Sequence, residues 1–292
     1  MALTVHTNYS SLLTQTNLNK TNNALSINQQ RLGTGLRINS ASDDAAGLQI
    51  ATRLGAQTKG MAVAMRNVSD ASSLLQTADG AFSEMTDILQ RMKDLATQSA
   101  NSTNSDDDRA SMQAEYDELG KELGNIMENT AFGGEKLFSK DTTSGKFNGA
   151  LSFQIGATAA ETLKLDVSSA TSGLAVTLGG LSTQFHATAA VVGDEISTSG
   201  AANAKISDLS AALDDVGKLR GQFGANINRL NHTANNLANM KDNTEMARGR
   251  IMDADFANES AMMSKNAMLM QSGISMLRQT GQMPGMVMSL LG

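Results

Sequence analysis

The sequence predicts a mainly α fold: a long antiparallel helical rod, or coiled coil, with discontinuous N- and C-terminal segments and a small β-hairpin region. Hydrophobic residues make up 40% of the chain, which has no Trp, no Cys and one Pro. A core must therefore be built from Leu, Ile, Val, Met and Ala, which suits long helices. Several stretches repeat small or apolar residues at spacings of three and four, as helices packed along a seam do. One stretch between them has a period of two, as half-buried strands do.

The N-terminal stretch has a helical pattern with little intrinsic stability. Leu18, Leu25 and Leu32 lie one heptad apart, and Asn, Gln, Ser and Thr fill the other faces. A helix of this composition is marginal alone. Burying each leucine against a partner would contribute roughly 1.5–3 kcal/mol, so we expect this end to become ordered by packing.

Three central stretches predict long helices. A linker at residues 39–44 precedes the first helix, with Ser42 or Asp43 as its cap, and the helical pattern continues towards Gln98. The acidic run at 106–108 opens the second helix, where it suits the positive end of the helix dipole. The seams of the three helices run from Leu74 to Leu95, from Met112 to Ile126, and from Ile206 to Leu237.

Between residue 132 and about residue 200 the period changes. Segments 151–155 and 163–167 alternate apolar and polar residues, and Gly, Ser and Thr dominate the joints, as at 133–134 and 179–180. We interpret this region as a small β-rich cap between helices from the two halves of the chain. The halves should then pack as antiparallel rods, with both chain ends at the same end of the molecule.

The C-terminal stretch continues the seam pattern from Met263 to Leu291. Gly281 and Pro284 interrupt this pattern and should bend or loosen the helix. Both ends of the chain thus read as amphipathic helices that need a partner to complete their packing.

The charge distribution favours ends that associate closely. The net charge is −6, yet residues 1–42 hold three cationic side chains, residues 260–292 hold two, and neither segment contains an acid. The chain has no basic excess for nucleic acid and no run of about eighteen apolar residues for a membrane span. The N-terminus lacks the regions of an ordinary signal peptide, so the protein either stays in the cytosol or leaves by a route that reads no cleaved signal.

These features predict two domains and a self-assembly function. Residues 1–42 with 253–292 form an inner terminal-helix coiled-coil domain, and residues 43–252 form a helical-rod domain. The side chains predicted to carry polymerisation are Leu18, Leu25, Leu32, Met263, Met270, Ile274, Leu277, Met288 and Leu291.

A search for chemistry gives no catalytic, cofactor or metal site. His6, His186 and His232 share no metal-ligand spacing, and the GxG at 33–35 lacks the preceding strand that a phosphate loop needs. Eleven of the 18 methionines lie from residue 240 onward, and adaptable packing accounts for them better than a copper site. The sequence therefore predicts a structural protein, with a soluble coiled-coil adaptor as the alternative.

Strings at both ends of the chain resemble signatures of the bacterial flagellins. They are LRINSA at 36–41, DDAAG at 43–47, LQRMKDLA at 89–96, QSAN at 98–101, RIMDADF at 250–256 and VMSLL at 287–291. Hook–filament junction proteins share some of this terminal pattern but fit the strings less well. Only about 70 residues separate the helical halves, so the resemblance is to a short flagellin without large outer domains.

The resemblance implies a subunit that polymerises into the helical flagellar filament for motility. It implies unfolded export through the flagellar type III apparatus without a cleaved signal peptide, a chaperone that holds the C-terminal helix beforehand, and filament cap and hook-junction proteins as neighbours. It also implies a patch recognised by the animal Toll-like receptor for flagellin. The matching positions are Leu89, Gln90, Arg91, Leu95, Gln98 and Glu115.

Overall fold

The computed structural model describes residues 8–141, 144–186 and 192–291, with 283, 284 and 286–291 as backbone only. In these residues the fold is mainly α, as predicted, with two small strand pairs and two single turns of 3-10 helix at Lys146–Asn148 and Thr183–Phe185. The helices are α1 (Tyr9–Thr34), α2 (Ala45–Ser99), α3 (Asp106–Asn129), α4 (Ser168–Leu181), α5 (Ser199–Met252) and α6 (Phe256–Leu291), and the strands are β1 (Ala131–Phe132), β2 (Glu135–Lys136), β3 (Leu151–Gln154) and β4 (Thr162–Leu165).

The chain divides into two compact units. The terminal unit comprises Met1–Thr58 with Asp242–Gly292, and the central unit comprises Lys59–Lys241. Both α2 and α5 contribute residues to each unit.

The central unit has a continuous apolar core around four phenylalanines. Phe82, Phe138, Phe147 and Phe223 are completely buried, and their ring centroids lie 4.8–5.6 Å apart. Aromatic side chains bury the largest apolar areas of any residue type, so four of the eight phenylalanines in the chain are enough to anchor this core.

Within the central unit, α2 and α5 run antiparallel. Arg220 of α5 donates to Asp79 near the middle of α2, with 3.0 Å between Nε and Oδ1. Ser199, at the start of α5, donates to the carbonyl of Ala100 just beyond the end of α2 (2.6 Å). For this unit the predicted antiparallel packing of the two halves is confirmed.

A buried polar cluster ties the segment before α5 to α3. The Gln113 amide donates to Asp117 Oδ1 (2.8 Å) and to Glu195 Oε2 (2.7 Å). Glu195 Oε1 accepts from the backbone N–H and the hydroxyl of Thr183 at 2.6 and 2.9 Å. Burial raises the pKa of Glu195, but the hydrogen bonds from Thr183 and Gln113 outweigh it and leave the pKa below its ordinary value.

The helix starts follow the capping chemistry, with one correction. Asp44 caps α2, because its Oδ1 accepts from the backbone N–H of Gly47 (2.8 Å). The predicted cap, Asp43, instead turns back and accepts from the N–H groups of Asn39 and Ser40, which lowers the pKa of Asp43. Ser105 caps α3 in a reciprocal capping box with the side chain of Asp108.

The β-rich region is partly as predicted. β1 pairs with β2 and β3 with β4, both antiparallel, and Gly133 and Gly134 turn the first hairpin with φ of 63° and 85°. The prediction that residues 179–180 connect two elements is wrong, because both glycines lie inside α4. Glycine weakens a helix, but burial of Leu174, Leu178 and other apolar residues of α4 overrides that preference.

The interruption predicted in the C-terminal helix does not end it. The backbone stays helical through Gly281 and Pro284 to the end of α6. A Cβ added at Gly281 meets no atom within 4 Å, so this glycine is not required by a close approach within the described chain.

Candidate assembly surface

The helices α1 and α6 form an antiparallel pair in the terminal unit. At one end of the pair, the Asn8 amide donates to the carbonyl of Thr280 (2.8 Å). At the other end, Arg31 Nη1 donates to Glu259 Oε1 (3.0 Å). Residue numbers increase along one helix as they decrease along the other, which fixes the direction of the pair.

The links beyond α1 and before α6 close the same end of the pair. Gly35 ends α1 in the left-handed conformation (φ 72°), and its carbonyl accepts from the N–H of Ala254 (3.0 Å). The N–H of Arg37 donates to the carbonyl of Met252 (2.6 Å). The glycines at 33–35 therefore belong to a helix end, as expected from the missing strand.

A seam of less exposed side chains runs along both helices at alternating spacings of three and four, as in a coiled coil. On α1 the seam comprises Ser11, Thr14, Leu18, Thr21, Leu25, Asn28 and Leu32, and on α6 it comprises Met263, Asn266, Met270, Gly273, Leu277 and Thr280.

Six of the nine predicted polymerisation residues therefore lie on the seam between α1 and α6 of one chain. Ile274 lies beside the seam and is 40% exposed. The side chains of Met288 and Leu291 lie outside the described residues. The seam passes through Gly273 rather than Ile274, which the apolar pattern alone did not indicate, because a glycine adds no hydrophobic signal.

At Gly273 on the seam, Leu18 occupies the space that a side chain would need. A Cβ at Gly273 would lie 3.1 Å from Leu18 Cδ1, closer than ordinary van der Waals contact. The absence of a side chain there lets a leucine of α1 pack directly on the backbone of α6.

Two threonines of the seam satisfy their hydrogen bonds locally. The hydroxyls of Thr14 and Thr21 donate to the carbonyls of Ser10 and Asn17, four residues earlier, at 2.7 and 2.9 Å. Asn28 is buried at the seam, where a polar side chain favours one register at some cost in stability.

One flank of the α6 seam is apolar and exposed. Met262, Leu269 and Met276 lie seven residues apart on one side of the seam, and we call them the outer stripe; all three are exposed. Met268 lies next to the stripe and is also exposed. A run of exposed apolar side chains on a soluble helix marks an interaction surface.

The terminal helices are almost free of exposed acids. Along α1 and α6 the single acidic side chain is Glu259, and it is paired with Arg31 and only 14% exposed. Close approach of other chains to this surface therefore does not require the desolvation of unpaired carboxylates.

In the described part of the chain, no group of three or more His, Cys, Asp or Glu side chains is placed to hold a metal ion. His186 packs edge-on against Phe185, His232 is exposed on α5, and His6 lies outside the described residues. Among the described helices, none is both long and apolar enough to cross a membrane.

The positions matched to the receptor patch divide into two layers. Arg91 and Glu115 are exposed and joined by an ion pair of 2.7 Å, and Gln90 and Gln98 are exposed on α2. Leu89 and Leu95 are buried in the central core, so they support this surface from below instead of contributing to it.

Two family models match the chain in the order of its helices. The model of the bacterial flagellin N-terminal helical region matches residues 5–143. The model of the bacterial flagellin C-terminal helical region matches residues 205–291. The stretch between them contains β3, β4 and α4.

Relatives match along their whole length. Flagellin A of Vibrio anguillarum is 35% identical over 384 aligned positions that cover all of both chains. Polar flagellin C of Vibrio parahaemolyticus and flagellin A of Vibrio cholerae are 34% and 33% identical, with the same full coverage. This chain has 292 residues, so about 90 of the positions aligned with the first relative are gaps in it.

Among solved structures, a Vibrio parahaemolyticus protein assigned as flagellar hook-associated is similar to this chain in fold. It is 15% identical, with a TM-score of 0.57, and the match covers 72% of this chain and all of that one. The two family models cover the N- and C-terminal helical regions, and the flagellin relatives cover the whole chain. This chain therefore belongs to the bacterial flagellin family.

Proposed function

We infer that this chain is a structural subunit that self-assembles into the filament of the bacterial flagellum, and that it is not an enzyme. Family membership supports the filament role. One structural observation carries the mechanism: among the described side chains of α6, none is fully buried, while the outer stripe is exposed. The terminal helices therefore have apolar surface that one chain alone does not cover.

Assembly then completes the ordering of the ends. Residues 1–42 with 253–292 form the inner layer, and 43–252 form the layer outside it. Leu18, Leu25, Leu32, Met263, Met270 and Leu277 hold α1 against α6, whereas Ile274, Met288 and Leu291 contact neighbouring subunits. Burial between subunits offsets the conformational entropy lost when weak helices become ordered.

Export precedes assembly in this account. The chain leaves the cell unfolded through the flagellar type III apparatus without a cleaved signal peptide. A chaperone covers the apolar side of α6 until then, because an exposed stripe on a monomer would otherwise associate too early. Filament cap and hook-junction proteins are the other partners. Family membership supports these steps, and the exposed apolar face of α6 gives the chaperone a physical role.

The exposed part of the patch on α2 and α3 is a proposed contact for the animal Toll-like receptor for flagellin. Gln90, Arg91, Gln98 and Glu115 present hydrogen-bonding groups on one surface. The same surface can also serve subunit packing, so recognition would be restricted to the free monomer.

Truncation tests the assembly mechanism. Chains lacking residues 1–42 or 260–292 are exported or refolded and then sedimented under conditions in which the full chain polymerises. Both should remain in the supernatant, while a full chain carrying the exposed substitution Glu118→Gln should pellet normally. Normal filaments from either truncation would contradict the mechanism. Electron micrographs of the full chain separate this function from a coiled-coil adaptor, which would give short ordered dimers.

A further inference from the structure

The described methionines of this chain differ widely in exposure. In the central unit, Met61, Met85 and Met92 are fully buried. On α6, Met262, Met268 and Met276 are 46%, 67% and 60% exposed. The distribution places unprotected thioethers on the apolar side of the helix that the proposed function uses for docking.

Exposure decides the reactivity of a thioether. Methionine is oxidised to the sulfoxide where an oxidant reaches its sulfur, and the product is a polar and chiral side chain instead of an apolar one. Met263 and Met270 lie on the seam against α1 and are partly covered, so their sulfurs are less accessible than those of the three outward-facing methionines. The structure thus orders the five described α6 methionines by expected rate of oxidation.

We propose that Met262, Met268 and Met276 form an oxidation site through which peroxide-class oxidants block the docking of a second copy of this chain. The thioether sulfur gives an electron pair to one oxygen of hydrogen peroxide, and the O–O bond breaks as the S–O bond forms. A proton transfers to the departing oxygen, which leaves as water. Each methionine loses two electrons and the peroxide gains them.

The consequence follows from the position of these side chains. Met262 and Met276 flank Leu269 in the outer stripe, one heptad away on each side. Oxidation therefore places a polar sulfoxide on each side of this leucine. Burying a sulfoxide without a hydrogen-bond donor weakens docking by roughly tenfold for each group. This inference rests on the proposed function, because it requires the outer stripe of α6 to be covered by another copy.

The test compares oxidised and untreated monomer. Purified full-length monomer is treated with a titrated amount of hydrogen peroxide, the oxidant is removed, and the chain is added to filament seeds. Mass spectrometry of peptides measures sulfoxide at each methionine. Met268, Met276 and Met262 should be modified before Met263 and Met270, with Met61, Met85 and Met92 protected. Elongation should fall by roughly tenfold or more once the outer methionines are oxidised.

Two variants separate oxidation from a general loss of packing. The triple variant Met262→Leu, Met268→Leu and Met276→Leu keeps an apolar side chain at each position and should elongate after peroxide as it does before. The triple substitution of the same residues by Gln places a polar group there and should elongate poorly without peroxide. Treatment with methionine sulfoxide reductase should restore the oxidised wild-type chain.

Three outcomes overturn the proposal: unchanged elongation by monomer that is oxidised at all three positions, equal loss in the leucine variant, or normal elongation of the glutamine variant. In each of these cases untreated monomer still forms filaments, so the assembly function itself stands. Failure of the untreated full chain to elongate on seeds would instead remove the function on which this inference rests.

Discussion

The central unit and the terminal helices differ in how they are stabilised. In the central unit, side chains from α2, α3, α4 and α5 and from both hairpins converge on one core, and many of them have no exposed surface. In the pair formed by α1 and α6, Leu25 and Asn28 are the buried residues among the described side chains. One chain therefore buries the apolar surface of its central unit by itself. Its terminal helices keep exposed apolar surface, which the proposed assembly would cover.

The largest effect is expected in the central core. Phe82→Ala removes a ring that packs against Phe138 and Phe223, and it should lower the free energy of unfolding of the central unit by about 3–5 kcal/mol. Native-state hydrogen exchange of the α3 amides measures this loss. Val176→Ala, at an exposed position of α4, is the control and should change little. A small effect of Phe82→Ala would mean that the central unit is not stabilised as described.

The buried polar cluster gives the next largest effect. Glu195→Gln replaces one carboxylate oxygen, which accepts from Thr183 or from Gln113, with an NH2 group that can only donate. Two hydrogen-bond donors then face each other, which should destabilise the central unit by about 2–3 kcal/mol. Chemical denaturation followed by circular dichroism measures the change. The exposed Glu118→Gln should stay within about 0.5 kcal/mol of wild type.

Because of the Glu195 carboxylate, the stability of the central unit should depend on pH. Because the pKa of Glu195 is lower in the folded chain than its ordinary value of 4.5, the unfolded state binds the proton more tightly. Its contribution is therefore fully present above the ordinary pKa and is lost as the pH falls through the lower, folded pKa. Stability of the central unit should decline below about pH 4.5, and the decline should be shallower in Glu195→Gln. Parallel pH profiles of the two chains would contradict this.

The seam of the terminal helices should be sensitive at Gly273, a position that the apolar pattern did not reveal. Gly273→Leu adds a side chain where Leu18 already packs, and overpacking of this kind costs about 1–3 kcal/mol. Hydrogen exchange of α1 in the monomer should become faster. Gly281→Leu is the matched control, since no described atom lies within 4 Å of its Cβ position. Equal exchange in both variants would place the seam elsewhere.

The smallest expected change in stability comes with a proposed change in recognition. The ion pair between Arg91 and Glu115 is about half exposed on both sides, so Arg91→Ala should alter stability by less than about 1 kcal/mol. If the surface is the receptor contact, activation of the Toll-like receptor by purified monomer should fall sharply. Unchanged activation would remove this assignment without affecting the filament function.

The sequence predicted the long helices well because their seams recur over many turns. It missed α4, where three glycines in 14 residues reduce helix propensity and tertiary burial decides the outcome. It placed the cap of α2 at Ser42 or Asp43, because three adjacent polar residues can all cap and only the local turn selects Asp44. Spacing also could not distinguish a seam through Gly273 from one through Ile274, since that choice depends on the partner helix.

Hydrogen exchange of the full chain, measured as monomer and as filament, tests most directly the claim that the ends are completed by other copies. We expect amides of α1 and of α6 up to residue 282 to be only weakly protected in the monomer, where these helices pair with each other alone, and to gain roughly hundredfold or more protection in the filament. Core amides of α2 and α3 in the central unit should already be protected in the monomer. Equal protection of α1 and α6 in monomer and filament would contradict the account.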